Sequence, residues 1–413
     1  MKILLLHDYG TASGGAELQM LSLRQGLSDR GHQVRLFASG AMPVAGHAQL
    51  ADDTCFGTTT RLQVLTQTVN PSAYWRLRRV LREFQPDVVH IRMFLWQLSP
   101  LILPLLQAVP CVYQTAVYKA ICPAGTKVLP DGSPCQVAPG RVCLTTGCLT
   151  PQTWAVLMVQ HQLWQRWRSA IDRVVALSQG MKTQLEQAGL SPVEVIYNGV
   201  SVRDLRPALQ GPPTVAFAGR LVLEKGVDVL LKAFAIARSQ VPTAQLLIAG
   251  QGPESEALKA QAQLLGLGES VTWLGHLERS QMETHFDRAW VQAVPSQWEE
   301  PFGNVTTEAM MRGTAVVASA VGAQPEIIHA DCTGFLVPPG DIEAWVDRLT
   351  RLLQNRELAE TMGRAGRDRA VTYFSEEKRT EQFLSLYQRL QTQASQSVSS
   401  AKYRQLAKES HFH

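Results

Sequence analysis

No apolar stretch of this 413-residue chain is both long and unbroken. The longest, Leu98 to Val117, is interrupted by Pro100, Pro104 and Pro110, which divide it into a helix, a turn and a strand and exclude a membrane span. The opening run Met1 to Asp8 is too short for a signal peptide and reads as a first strand, so the expected location is the cytoplasm. Three markers of common α/β enzymes are also missing: there is no Gly-x-Gly-x-x-Gly fingerprint, no Walker loop and no serine nucleophile elbow. Asp-x-Asp is absent, so no obvious carboxylate pair awaits a divalent metal. Tight Cys-x-x-Cys knuckles are lacking too. Four of the 7 cysteines, Cys122, Cys135, Cys143 and Cys148, nevertheless cluster in a Pro- and Gly-rich stretch. Reduced thiols in a loop are the expected reading, with a closed tetrahedral zinc site as the alternative.

What is present describes a globular chain. A hydrophobic share of 45% beside 18% charged residues gives ample core, and the length suits two or three domains. The net charge of +4 is uneven: residues 1–200 carry 17 Lys and Arg against 11 Asp and Glu, residues 201–413 carry 22 against 24. A basic first half suits an anionic partner, such as a membrane surface or phosphorylated acceptor, with ordinary unevenness as the plain alternative.

Apolar runs at 2–7, 33–38, 88–91, 111–114, 173–177 and 193–197 predict buried strands, with helices over 16–30 and 72–84 between them. Such alternation predicts a parallel sheet covered on both faces. A break at 201–213 holds three prolines. The pattern restarts with strands at 214–218, 245–249, 271–273, 290–294, 315–318 and 334–337, and helices at 227–238, 254–265, 341–354 and 357–373. The expected architecture is therefore α/β: a Rossmann-like domain over 1–200, a linker at 201–213, and a second Rossmann-like domain over 214–374. A helix capped by Ser375 follows at 375–390, then a polar tail at 391–413. Two doubly wound units leave a cleft at the carboxyl ends of their strands, where ligands bind.

Three loops carry the chemistry. Gly14 and Gly15, after the first strand and at the head of the first helix, let backbone amides approach a phosphate closely. Arg220 and Lys225 place two cations in the corresponding loop of the second unit. The most informative segment is 295–310. There Glu300 precedes a Gly303-Asn304 turn and Glu308 sits in the helix after it, so carboxylates flank an exposed helix start. Fixed carboxylates suit sugar hydroxyls, which are neutral donors. Each loop alone also suits turn punctuation, a solvated pair or a helix cap; the combination outweighs those readings.

On these residues, together with Gly31-His32-Gln33-Val34, Pro86 to His90, Tyr197-Asn198-Gly199-Val200, Gly250 to Glu254, Gly334 to Val337 and Phe374-Ser375, the chain resembles the family 4 glycosyltransferases, retaining enzymes of the GT-B fold. The resemblance spans nearly the whole chain. It implies two Rossmann-like domains facing a cleft and hexosyl transfer from a nucleotide-sugar donor to a sugar or lipid-linked acceptor, as in cell-surface polysaccharide or glycolipid assembly. Metal independence is expected, with no cofactor beyond the sugar nucleotide as substrate and no nucleic-acid partner. By the same resemblance Arg220 and Lys225 neutralise the departing diphosphate. Gly303 and Asn304 offer amides to phosphate and sugar, Glu300 holds hydroxyls of the transferred sugar, Glu308 the ribose, and Gly14 and Gly15 close over the phosphate.

One departure stands out. Where the family usually places a histidine beside the donor sugar, this chain has Ala116. Gln114, Tyr118 and Lys119 are the candidate replacements near the sugar, and His90, at a strand end, is a further acceptor-side candidate. The competing readings are a catalytically inert nucleotide-sugar-binding protein, favoured by Ala116 alone, and a sugar-nucleotide epimerase. Two aromatic and basic helices, Tyr74 to Arg82 with four arginines and Trp154 to Arg168, suit either peripheral contact with an anionic membrane or ordinary packing.

Overall fold

The computed structural model describes residues 1–44 and 46–409, with 397–409 and Arg279 described by backbone alone. In it the apolar runs pair into two wholly parallel sheets. The first contains β1 (Lys2–Tyr9), β2 (Gln33–Ser39), β3 (Asp53–Cys55), β4 (Val88–Met93), β5 (Cys111–Gln114), β6 (Arg173–Ala176) and β7 (Val193–Val195), in the order β3-β2-β1-β4-β5-β6-β7. The second contains β8 (Thr214–Ala218), β9 (Gln245–Ala249), β10 (Val271–Gly275), β11 (Val291–Val294), β12 (Ala315–Ser319) and β13 (Phe335–Val337), in the order β10-β9-β8-β11-β12-β13. Each sheet is covered on both faces, which is why its strands read as continuous apolar runs such as Ile3 to Leu6, all fully buried. The order reverses between β1 and β4 and again between β8 and β11, and crevices of this kind bind ligands.

The edge strand β3 has no apolar pattern to announce it: Asp-Thr-Cys is held by pairing with β2 alone. Helices at Gln179–Gln187 and Arg279–Phe286, too polar for a clear periodic signal, are further additions to the sequence reading. The stretch before β5 forms a 3-10 helix, Pro100–Leu106, since Pro104 cannot donate an α-helical bond. The final helix is a larger correction. It runs Glu376–Glu409, well past Leu390, into the stretch expected to be a polar tail.

That helix leaves the second domain and packs on the first. Phe383, Leu386, Tyr387 and Leu390 are buried against Ile3, Leu5, Met20 and Leu23. Burial of such side chains contributes roughly 1.5–3 kcal/mol each. The crossing is tight: a Cβ at Gly199 would lie 2.6 Å from the Cα of Glu376. Tyr197, Phe302 and Phe374 form an aromatic triangle at the hinge, with centroids 5.3 to 6.0 Å apart. A second tie is Glu326, whose carboxylate accepts from the backbone amides of Gln179 (2.8 Å) and Gly180 (3.1 Å) and from Tyr197 Oη (3.1 Å). A carboxylate at a helix N-terminus meets its dipole favourably.

The helix also removes one candidate from the site. His90 is fully buried, its Nδ1 lies 2.5 Å from Tyr387 Oη, and its ring stacks 4.7 Å from Phe383. It is a docking residue for the final helix and not an acceptor contact, because the aromatic face of that helix occupies the space in front of it. Burial, followed by the neighbouring Arg92 charge, pushes the His90 pKa down to about 3. The folded state therefore keeps His90 neutral while the unfolded chain protonates near 6.5, so its stabilisation is complete above that pH and is lost as pH falls. Between pH 7 and pH 5 the stability margin of the wild type over His90→Gln should shrink by about 2 kcal/mol in urea unfolding. A margin that stays constant or widens would place the titrating group elsewhere.

Candidate functional site

Two helix N-termini, one from each domain, meet across the cleft. β1 feeds the glycine turn into the helix Gly15–Ser28, whose N-cap Gly14 is extended and carries no side-chain cap. β11 feeds the loop 295–303 into the helix Asn304–Met311, whose N-cap Gly303 also has none. No N-cap side chain closes over either first turn, and both dipoles point positive potential into the gap. The approach is close: a Cβ at Gly15 would lie 3.3 Å from Asn304 Nδ2, so a larger residue there would press on the opposite domain. At Gly303 an added Cβ would come within 2.5 Å of Gln324 Nε2.

Beside these helix ends Lys225 Nζ donates to Glu300 Oε1 at 2.5 Å, and Ser296 Oγ donates to the same oxygen. Both charged side chains are mostly covered, 21% and 14% exposed, so the pair is held in place and is not a solvated surface contact. Two loops lock it there. Gly226 sits at φ +65°, and Gln297 N donates to Glu224 O at 2.8 Å, which sets segment 224–226 against segment 295–297. Ser296 carried no signal in the sequence beyond its place in the segment.

Arg220 is placed differently from Lys225. Its side chain is 71% exposed, with a loose 3.7 Å contact to Glu224. It lines a depression with Gly219, Gly250 and His276 at the carboxyl ends of β8 and β9. Glu308 lines an adjoining pocket with Arg203, Val305 and Arg312, and the two cavities share Ala218 and Met282. Arg220 and Glu308 therefore border one trough along the second sheet, at the end where Lys225, Glu300 and Asn304 stand.

A polar relay joins this trough to the first domain. Asn198 Nδ2 donates to Asn304 Oδ1 at 3.0 Å, and Arg92 Nη2 donates to Asn198 Oδ1 at 3.0 Å. Arg92 is 2% exposed, and burial, then the Arg379 charge, lowers its pKa to about 9. Gln19 clamps the same hinge, donating to Gly199 O at 2.6 Å. The Tyr197 to Val200 segment signalled a hinge, but nothing in its spacing shows that Asn198 connects β4 to the helix start at Asn304.

Ala116 leaves its surroundings to three neighbours. Gln114 is fully buried beside His90, with neither amide atom in hydrogen-bond geometry. Tyr118 is 1% exposed and its hydroxyl donates to Glu299 O, 3.3 Å away in the other domain, one residue before Glu300. Lys119 is engaged: its Nζ donates to Pro123 O at 2.5 Å and sits 4.1 Å from the Trp96 ring centroid, with burial lowering its pKa to about 8. Tyr118 thus reaches the 295–303 loop of the second domain, whereas Lys119 is held within its own loop.

All 7 cysteines are free thiols. Burial and then the thiols of Cys122, Cys148 and Cys135 push the Cys143 thiol upward against a Gly140 hydrogen bond. Among the described residues no group of three or more His, Cys, Asp or Glu is arranged to hold a metal ion, and no helix is long and apolar enough to cross a membrane.

The two domains and their cleft are those of a GT-B glycosyltransferase. Residues 205–369 match the glycosyl transferases group 1 family and residues 14–199 the glycosyl transferase 4-like domain, and the chain belongs to this family. It is 30% identical to the phosphatidyl-myo-inositol mannosyltransferase of Mycobacterium leprae, over 92% of this chain and 95% of that protein. It is 32% identical to the D-inositol 3-phosphate glycosyltransferase of Mycobacterium marinum over 53% of this chain and 50% of that one. Among solved structures it resembles a sucrose-phosphate synthase from Thermosynechococcus elongatus (TM-score 0.69, 23% identity, 94% of this chain and 98% of that one). It also resembles Anabaena HepE bound to UDP and glucose (TM-score 0.66, 21% identity, 94% and 99%).

Proposed function

We propose that this glycosyltransferase binds a nucleoside-diphosphate sugar in the trough along β8 and transfers the sugar, with retained anomeric configuration and without a metal, to a sugar or lipid-linked acceptor held by the first domain. The observation that carries this reading is the meeting of two helix N-termini without side-chain caps at Gly15 and Asn304, beside the Lys225–Glu300 pair. A diphosphate placed there meets backbone amides from both domains and the Lys225 ammonium, and Arg220 is free to swing onto it from the exposed rim. As the glycosidic bond breaks, negative charge grows on the leaving phosphate, and preorganised donors stabilise it. Glu300 is set to accept from hydroxyls of the departing sugar, and Glu308, one trough-length away, from the ribose. Closure of the two domains over the donor excludes water that would otherwise hydrolyse it.

The acceptor side of the reading includes a membrane surface. Trp75, Arg78, Arg79 and Arg82 form the outward stripe of the helix Pro71–Phe84, whose inward stripe is Ala73, Leu77 and Val80. Trp75 is 61% exposed, with Arg78 5.6 Å above its ring. An exposed aromatic covered by an arginine, on a face that also carries Arg82, suits an anionic interface, although Arg79 is paired with Glu83 at 2.6 Å. The other basic helix, Pro151–Trp167, is a packing element: Trp164 is 1% exposed among Phe94 and Tyr113, and Trp154 Nε1 donates to Gly140 O at 2.9 Å. The relative named for phosphatidyl-myo-inositol supports a membrane-linked setting.

Glu308→Ala should raise the dissociation constant for the sugar nucleotide about tenfold, the loss of one charge-assisted hydrogen bond. Calorimetric titration of a panel of UDP-, GDP- and ADP-sugars tests this. Undiminished donor affinity in the variant would displace the ribose from this position. Tight donor binding without nucleotide release in the wild type would favour the inert reading that Ala116 raises.

A further inference from the structure

Beside the site a chamber of about 640 Å³ opens between the domains on the β5–β6 side of the first sheet. Its size lies within the roughly 300–1,000 Å³ of small-molecule pockets. Its walls come from the loop 126–139, from the helices Pro151–Trp167 and Gln179–Gln187, and from Trp298, Glu299 and Gly322 of the second domain. It adjoins the donor loop directly. Glu299 precedes Glu300, and a Cβ at Gly322 would lie 2.6 Å from Glu300 N. Tyr118, on its wall, is the residue whose hydroxyl bonds Glu299 O.

The chemistry of this wall is mostly uncharged and rich in hydrogen-bonding groups. Gln136, Gln165, Gln184 and Gln187 line it with Thr126 and Thr183. Each amide offers both donors and an acceptor, which is what a hydroxyl needs. Trp298, partly exposed, adds a flat aromatic face of the kind that packs on the apolar side of a sugar ring. Among the described residues no arginine lines the chamber, although the chain holds 39 Lys and Arg. Among the described residues its one lysine, Lys127, turns its Nζ to Val137 O at 3.4 Å, and its one carboxylate, Glu299, accepts from Gln184. Burial, then Arg168, lowers the pKa of His161, so that side chain stays neutral near pH 7. A phosphorylated headgroup calls for forked or several point cations, and among the described residues this wall offers Lys127 alone.

We infer that the chamber binds the acceptor, and that the part of the acceptor it holds is a neutral saccharide of one or more rings and not a phosphate-bearing headgroup. The inference rests on the transferase reading above. The acceptor's hydroxyl oxygen forms the new bond to the anomeric carbon of the donor sugar while the bond from that carbon to phosphate breaks. The nucleoside diphosphate leaves with the electron pair, and the hydroxyl proton passes to the departing phosphate oxygen. The saccharide has two conceivable sources, a free glycoside or the glycan of a glycolipid.

Nucleotide release from the donor that binds best should be followed with three sets of acceptors. These are neutral methyl glycosides and disaccharides of mannose, glucose and galactose, vesicles carrying neutral glycolipids, and vesicles or solutions of phosphatidylinositol and inositol phosphate. The full-length wild type and the Gln165→Ala/Gln187→Ala variant are compared, with donor affinity measured separately. At least one neutral saccharide should accelerate release, and its KM should rise tenfold or more in the variant at unchanged donor affinity. Acceleration by vesicle-borne but not free glycans assigns the source to a glycolipid. Use of phosphate-bearing acceptors alone, acceleration by no saccharide while the donor still binds, or an unmoved KM in the variant would each overturn the inference. Failure of every donor to bind would overturn the transferase reading as well.

Discussion

Lys225→Ala should lower the rate of sugar transfer by about 10²–10³-fold, the cost of removing one preorganised donor from a developing anion. The ammonium is fixed before any ligand arrives. Glu300 and Ser296 hold its loop and its partner, with the Lys225–Glu300 contact at 2.5 Å and little of either side chain in water. Such fixing matters because catalysis comes from interactions that strengthen in the transition state and need no reorganisation to form. The loss should therefore fall mainly on kcat, with donor affinity changed less. Glu300→Ala should produce a comparable fall by a different route, since the sugar loses a fixed acceptor and Lys225 loses the partner that orients it. Lys232→Ala is the control: that lysine is 47% exposed and paired with Asp228 at 3.5 Å, so its removal should leave the rate unchanged. Steady-state kinetics on the three variants decides the matter. A Lys225→Ala enzyme within twofold of wild type would remove Lys225 from the reaction.

The second large effect concerns the backbone that carries Lys225. Gly226→Ala should cost about 3 kcal/mol or more in stability and abolish most activity. At φ +65° a side chain is strained by roughly 1–2 kcal/mol. Its Cβ would also stand 2.0 Å from Pro295 O and 2.9 Å from Gln297 Nε2. The first of these is a rigid backbone carbonyl, so relief requires moving the two loops apart, and with them Lys225 from Glu300. Gly211→Ala separates the two terms. Gly211 has φ +73° but nothing within 4 Å of an added Cβ, so it should show the backbone strain alone. Urea unfolding of both variants reads the difference; equal midpoints would mean that the loop contact carries no weight.

Much of this molecule is legible in its sequence because parallel strands buried on both faces must be apolar throughout. Lys2 to His7 or Ala315 to Ala318 can hardly be anything else, and both fall within observed strands. The glycosyltransferase family is legible too, in the Gly14-Gly15 and Glu300 to Glu308 segments. Contacts between distant segments are not legible. Asp53–Cys55 is a strand only because β2 lies beside it. His90 sits in a stretch shared with the family, yet its partner Tyr387 is 297 residues away, on a helix whose destination no local pattern reveals. The Arg92–Asn198–Asn304 relay is hidden for the same reason. The extent of the last helix eluded the sequence reading because Gln391 onward is polar, and polar composition alone does not distinguish an exposed helix from a coil.

The most direct test of the central claim is release of free nucleotide from UDP-, GDP- and ADP-sugars by the purified full-length protein, with Glu300→Ala alongside. An active transferase should release nucleotide from at least one donor in the presence of acceptor, and the Glu300→Ala variant should lose that release while remaining folded. A wild-type protein that binds a donor yet releases nothing with any acceptor, or a variant that turns over as fast as wild type, would contradict the site built around Lys225 and Glu300.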